Sequence, residues 1–204
     1  MDLTSRQWHY SNDTILVDKI VTAPLENNVF LLVCAATGDS VIIDAASDAE
    51  RILAMAEGTN VTAVFTTHGH WDHVGATEDV AEQLGVVHYI GAEDAPMAKL
   101  ATAEPFVAGN FSLGSLTLEI IHTPGHTPGS HCIKAGHLIF TGDTLFPGGP
   151  GATQNAENFT QIMESLDTKL FPYPDETIIL PGHGLDTTLG AERPSIEEWR
   201  ARGW

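Results

Sequence analysis

The chain predicts an α+β fold in which two sheets pack face to face with helices outside. Three features of the sequence carry that expectation: an opening third of β-rich runs joined by tight turns, a strand–loop–helix rhythm in the middle, and a second half that runs through strands to a helix, a strand and a final amphipathic segment. Asn28–Ala36 and Ser40–Asp44 are apolar runs around Thr37-Gly38-Asp39, which predicts a hairpin. Ser47-Asp48 offers an N-cap for a helix through about Ala56, because Ile52, Leu53 and Ala56 are spaced for one buried face. Val61–Thr66 is β-rich and runs straight into a histidine cluster. Thr77–Leu84 reads as a helix that stops at Gly85, followed by a strand over Val86–Ile90. Strands are expected over Phe106–Leu113, Leu116–His122, His131–Ala135 and His137–Thr141. A helix over Phe159–Leu170, a strand over Thr177–Leu180 and the amphipathic stretch Ser195–Arg202 complete the chain. Each polar cluster follows directly on a strand.

With 204 residues, 43% of them hydrophobic and 18% charged, the sequence suits a single domain over 1–204 made of two similar βα halves. A core of that size needs no disulfide. Cys34 and Cys132 each lie in an apolar stretch and are expected to be separate buried thiols. The start, MDLTSRQWHYSND, shows no cationic segment followed by an apolar one, so no secretory signal is expected and the cytoplasm is the default compartment. The longest unbroken apolar run, Val29–Ala36, falls far short of the ~20 residues that span a bilayer. The net charge of -18, with 9 Lys+Arg against 27 Asp+Glu, argues against a nucleic-acid partner, which requires a basic footprint.

Thr66-Thr67-His68-Gly69-His70-Trp71-Asp72-His73 brings three imidazoles and a carboxylate together at the end of a strand. Imidazole nitrogen and carboxylate oxygen are the usual zinc ligands and also suit iron and manganese. In a loop leaving a strand, His68 and His70 can turn toward one cation, while Asp72 and His73 lie further round and can face a second. Gly69 lets the backbone fold tightly between the two histidines. Three more candidates sit behind glycines after β-rich runs: His126 in TPGHTPGS, Asp143 in FTGDT and His183 in LPGHG. His9, His88, His122, His131 and His137 stand alone and are read as ordinary satisfied or solvated side chains. Thr67, Thr141 and Thr144 are read as strand-end residues with structural roles.

The HxHxDH pattern of His68–His73, followed by His126, Asp143 and His183, resembles the metallo-β-lactamase superfamily over nearly the whole chain, from Asp44 in IIDAA onward. The resemblance implies an αββα four-layer sandwich with its site along one edge of the sheets. It also implies a division of ligands: His68, His70 and His126 on a first metal, Asp72, His73 and His183 on a second, and Asp143 bridging them. Asp44 matches an acidic position that supports the ligands from behind. PGHTPGS, FTGDTLF and PGHG look most like the glyoxalase II branch, in its short hydroxyacylglutathione hydrolase-like form. Gly151-Ala152-Thr153 stands where that form often carries Gly-Arg-Ser/Thr. Near the C-terminus only Arg193, Arg200 and Arg202 are available, whereas longer members grip glutathione with a basic helical extension.

The implied activity is hydrolysis of a small-molecule thioester or ester by a hydroxide bridging two divalent cations, zinc first and iron or manganese as alternatives. Asp72 is then both ligand and catalytic residue, orienting the nucleophile and accepting its proton. Neither nucleic acid nor membrane is expected as a partner, and the sequence leaves the oligomeric state open. Persulfide dioxygenases share the implied fold and would use a single iron on His68, His126 and Asp143. Lactone hydrolysis and a non-catalytic metal-binding module are the other rivals. True β-lactamases commonly carry cysteine where Asp143 stands.

Overall fold

A computed structural model describes residues 6–100 and 102–203. The first sheet has seven strands lying in chain order: β1 (Tyr10–Ser11), β2 (Ile15–Thr22), β3 (Asn27–Cys34), β4 (Asp39–Ile43), β5 (Asn60–Phe65), β6 (Val87–Ile90) and β7 (Glu104–Pro105). The second sheet takes its strands from the rest of the chain: β8 (Gly109–Leu113), β9 (Leu116–His122), β10 (His131–Ala135) and β11 (Leu138–Gly142). A two-stranded ribbon, β12 (Leu145–Phe146) and β13 (Gly149–Pro150), then leads to β14 (Ile178–Pro181) and β15 (Thr187–Thr188), which complete the second sheet. The main helices are α1 (Ala49–Ala56), α2 (Trp71–Val74), α3 (Thr77–Leu84), α4 (Ala95–Ala98), α5 (Ala156–Ser165), α6 (Leu189–Glu192) and α7 (Ile196–Arg202). Among the described residues no helix is long and apolar enough to cross a membrane.

The layering follows from alternation along strands covered on both faces. β3 is buried at every position: Phe30, Leu32 and Cys34 face the second sheet, while Val29, Leu31 and Val33 face outward to the helices. Such double coverage explains why the segment reads as a continuous apolar run. Between the sheets, Val17, Phe30, Val41 and Phe65 meet Leu118, Ile120, Ile133 and Phe140. The Phe30 and Phe140 rings meet edge to face with centroids 5.2 Å apart. Outside the first sheet, Ile52 and Met55 of α1 and Val80 of α3 cover Ile42 and Val64. Outside the second, Ile162 and Met163 of α5 and Trp199 of α7 cover Ile121, Ile139 and Ile179. Each such side chain, fully buried, contributes about 1.5–3 kcal/mol. The result is the αββα order.

Connectivity places the loops that matter. In the first sheet β4, β5 and β6 run parallel. In the second, β14 runs parallel to β11, while β10 is antiparallel to both β9 and β11. Hence β9, β11 and β14 point the same way and end at one edge. The loops after them carry His126, Asp143 and His183, and the loop after β5 carries the histidine cluster. Open α/β sheets commonly place their sites at such strand ends.

Most expected elements are present. Gly38, at φ 75°, turns the β3–β4 hairpin. Asp48 is the residue that caps α1, accepting from the Arg51 amide. Gly85, at φ 67°, ends α3. Three boundaries differ. The strand expected over Phe106–Leu113 begins only at Gly109, because Phe106 still hydrogen-bonds to Ile90 of the first sheet while the chain crosses to the second. The helix expected from Phe159 starts at Ala156, where Asn155 caps it, and its end from Leu166 to Leu170 is wound as a π-helix. Asp72 and His73 belong to a helical turn, α2, rather than to a loop. Cys34 and Cys132 are both free and buried, in different core clusters.

Candidate metal centre

His68 and His70 leave the end of β5 and meet His126, from the loop between β9 and β10, across the gap between the sheets. The Nδ1 of His70 lies 3.0 Å from the Nε2 of His68 and 2.9 Å from the Nε2 of His126. Asp72 and His73, on α2, meet His183 from the loop after β14. The Nε2 of His183 is 3.2 Å from the Nε2 of His73 and 3.3 Å from Asp72 Oδ2. In each trio one donor atom per residue lies within 4.8 Å of the others. Asp143 stands between them. Its Oδ1 is 3.4 Å from His73 Nε2 and its Oδ2 is 3.6 Å from His126 Nε2. All seven candidates read from the sequence are thus brought together. The five histidines set aside lie elsewhere, with Asp186 beside His9, Pro128 O beside His122, Gly129 O beside His131 and Tyr10 beside His137, while His88 is buried at the far end of the first sheet.

The outer nitrogens of the rings fix where their lone pairs point. His126 Nδ1 faces the Ala152 carbonyl at 2.7 Å and His183 Nδ1 faces the Leu25 carbonyl at 2.9 Å. A carbonyl only accepts, so both Nδ1 atoms carry hydrogen and both Nε2 atoms present lone pairs inward. Thr67 donates its one hydroxyl hydrogen to Asp44 Oδ2 at 2.8 Å and so accepts from His68 Nδ1 at 3.1 Å. His73 Nδ1 lies 3.0 Å from the same Asp44 oxygen. Asp44 therefore orients His73 directly and His68 through Thr67. It holds this position just past β4 with a left-handed backbone, φ 56°, and its Oδ1 accepts from the Thr67 amide.

Electrostatics divide the site. Burial, then the neighbouring imidazoles His73, His126 and His70, hold His68 well below the ordinary histidine range. Burial, then His126, lowers His70 as well. Burial also opposes charge on His73, yet Asp44, Asp143 and Asp72 together outweigh it and raise that ring to about 9. Burial raises the Asp72 carboxyl, but the Asn27 amide at 2.9 Å and His73 bring it below its usual value, as an ionised ligand requires. The centre thus collects nitrogens and carboxylate oxygens facing one another, and it favours positive charge on the side where Asp44, Asp143 and Asp72 surround His73. Asp143 Oδ1 is buried with no hydrogen-bond partner. Inward lone pairs on His126 and His183, an orphaned carboxylate oxygen and mixed nitrogen and oxygen donors all fit divalent cations.

Several supporting residues escaped the sequence reading. Asp94, fully buried, accepts from the amides of Gly69 and Gly129 at 2.8 Å each and from Thr127 Oγ1 at 2.6 Å. One carboxylate thereby fastens the loop of His68 and His70 to the loop of His126. Gly69 is required less for a tight fold between the histidines than for this approach, since a Cβ there would sit 2.7 Å from the Asp94 carbonyl. A Cβ at Gly182 would meet Asp143 Oδ1 at 2.5 Å and His73 Cε1 at 2.6 Å, so any side chain there would enter the centre. On the other side Asn27 donates to Asp72, and Asn28 donates to the carbonyls of Pro181 and Gly184 around His183. The reading of Thr67 as a mere strand-end residue is corrected by its link between Asp44 and His68. Thr141 and Thr144 keep structural roles, bonded to the Leu145 carbonyl and to Thr123. The one available signal was the polar pair Asn27-Asn28 opening an otherwise apolar strand; nothing local marked Asp94.

A sequence profile described as the Metallo-beta-lactamase superfamily matches residues 22–183. The hydroxyacylglutathione hydrolase GloC of Haemophilus influenzae is 34% identical over 182 residues, covering 77% of this chain and 85% of that protein. Among solved structures, ETHE1 from Myxococcus xanthus superposes with a TM-score of 0.76 at 29% identity, covering 85% of this chain and 80% of the other. TTHA1623 in a di-iron-bound form superposes with a TM-score of 0.74 at 30% identity, covering 86% of this chain and 96% of the other. Layer order, strand-end loops and profile agree, and the chain belongs to the metallo-beta-lactamase superfamily, in its glyoxalase II-like branch.

Proposed function

We propose that this protein is a binuclear metallohydrolase that cleaves a small thioester or ester. The observation that carries the reading is the pair of donor trios with Asp143 reaching toward both. His68, His70 and His126 would hold one cation, Asp72, His73 and His183 the other, and Asp143 would bridge them. Bound divalent cations supply the positive charge that polarises a carbonyl and acidifies a water.

The chain's own residues supply placement. Asp44, Thr67, Leu25 and Ala152 fix ring orientations before substrate arrives, which removes a reorganisation cost from the reaction. Asp72, ionised and anchored by Asn27, is the group placed to orient the attacking water and take its proton. The water oxygen bonds to the carbonyl carbon, the C–S or C–O bond breaks, and the proton returns to the leaving thiolate or alkoxide. The products are a carboxylic acid and a thiol or alcohol.

A single-iron oxygenase reading would use His68, His126 and Asp143. It would leave Asp72, His73 and His183, gathered as a second donor trio, without a cation to hold, and this favours the two-cation reading. Zinc is the first choice for the imidazole trio, and iron follows. The two free buried thiols fit a reducing, cytoplasmic compartment. The test is elemental analysis of purified protein together with a hydrolysis panel of S-lactoylglutathione, simple thioesters, esters and lactones. Two divalent ions per chain, with thioester or ester turnover that chelation removes and metal restores, support the proposal. Undiminished turnover in chelated, cation-free protein overturns it.

A further inference from the structure

A cleft of about 330 Å³ opens beside the candidate metal centre, lined by Phe146, Pro147, His183, Gly184 and Leu185. The His183 ring is the wall that the cleft and the centre share. Its Nε2 lies 3.3 Å from Asp72, and its centroid is 6.3 Å from that of Phe146. Whatever reacts beside His183 therefore has an apolar recess within reach of its next few atoms.

The surroundings are apolar beyond what a solvent-facing surface needs. Leu185 is 79% exposed, Trp71 64% and Leu25 51%. Trp71 precedes Asp72, Leu25 supplies the carbonyl that holds His183, and Leu185 follows His183 by two positions. Of these, Leu185 lines the cleft itself together with Phe146 and Pro147, and exposed apolar side chains at a recess mark a binding surface. No lysine or arginine lines the cleft, so a carboxylate entering it would find no counter-ion there. The net charge of -18 further disfavours anionic arms.

Resting on the hydrolase reading above, we infer that the substrate carries an apolar arm next to its scissile carbonyl and that the cleft between Phe146-Pro147 and Gly184-Leu185 takes that arm. The arm belongs either to the acyl group or to the leaving group, and two substrate series separate these. The first holds the thiol constant as N-acetylcysteamine and lengthens the acyl group from acetyl to hexanoyl. The second holds acetyl constant and lengthens an alkyl thiol. Along one series kcat/KM rises roughly fourfold for each methylene buried. Leu185→Asp, at an exposed position, flattens that rise, and Leu185→Phe preserves it.

Unreactive methyl ketones of matching chain length, titrated by calorimetry into chelated protein, tighten in parallel with the chain-length rise, and Leu185→Asp abolishes the trend. Flat profiles in both series, or a rise that Leu185→Asp leaves intact, overturn the inference while the hydrolase reading survives. Failure of the metal-loaded protein to hydrolyse any member of either series overturns both.

Discussion

His68, His70 and His126 face Asp72, His73 and His183 across Asp143, and the two trios differ both in charge and in what holds them. The first is all imidazole. Burial and the neighbouring imidazoles lower the pKa of His68 and of His70, and its loops are tied by Asp94. The second includes a carboxylate and has Asp44 and Asp143 against His73, so it favours positive charge even before a metal arrives. An all-nitrogen trio and a mixed nitrogen–oxygen trio side by side would suit cations with different ligand preferences, the softer ion on the first. The fold gathers two unlike groups of donor side chains at the strand ends of its two sheets.

The largest effect is expected at Asp143, the residue that both trios approach. Asp143→Ala is expected to cut turnover by about a hundred- to a thousandfold, the scale typical of a lost charge-stabilising group, and to remove at least one cation per chain by elemental analysis. Full activity with two cations retained would end the bridging assignment. Asp44→Asn should come next, because one oxygen serves His73 directly and His68 through Thr67. Metal affinity at both positions should fall by about 10–100-fold, read by competition with a chromophoric chelator. Thr67→Val then sharpens the contrast: it should weaken the first position alone.

Asp94→Asn and Asn27→Ala test whether the trios are supported separately. The first change should lower occupancy at the imidazole trio by about tenfold and the second at the Asp72 trio by a similar factor. Equal losses at both positions in either variant would show that the supports are not independent. The smallest expected effect concerns protons far from the centre. Burial, opposed by Glu78, lowers the pKa of His88, so the folded protein disfavours its protonated form. Below the ordinary histidine value of about 6.5 the unfolded chain binds a proton that the folded chain refuses, so stability drops as pH falls from 7 toward 5. His88→Gln should shallow that pH dependence of the urea midpoint, and an unchanged slope would remove His88 from the account.

The contrast between what was legible and what was not follows the same division. The candidate donors were readable because metal chemistry restricts residue types, and a strand end followed by His-Gly-His or Gly-His leaves few other uses for them. The layers were readable through alternation, as in β3, and through turn residues such as Gly38 and Gly85. The supports were not. Asp94 lies between its partners Gly69 and Gly129 in the sequence by 25 and 35 positions, and nothing in its own neighbourhood marks it as shared. The crossing at Phe106 was misplaced because an apolar residue suits either sheet, and only a hydrogen bond to Ile90 decides which.

By itself, then, the sequence carried the class of fold, the seven side chains that the structure brings together, and the acidic composition. Those properties are local or additive, so they survive without coordinates. Tertiary structure decided which donors face one another, that Asp44 orients two imidazoles at once, that α2 rather than a loop presents Asp72 and His73, and that an apolar cleft adjoins His183. Each of these depends on distances between segments far apart in the chain, fixed only when two sheets close over a common core.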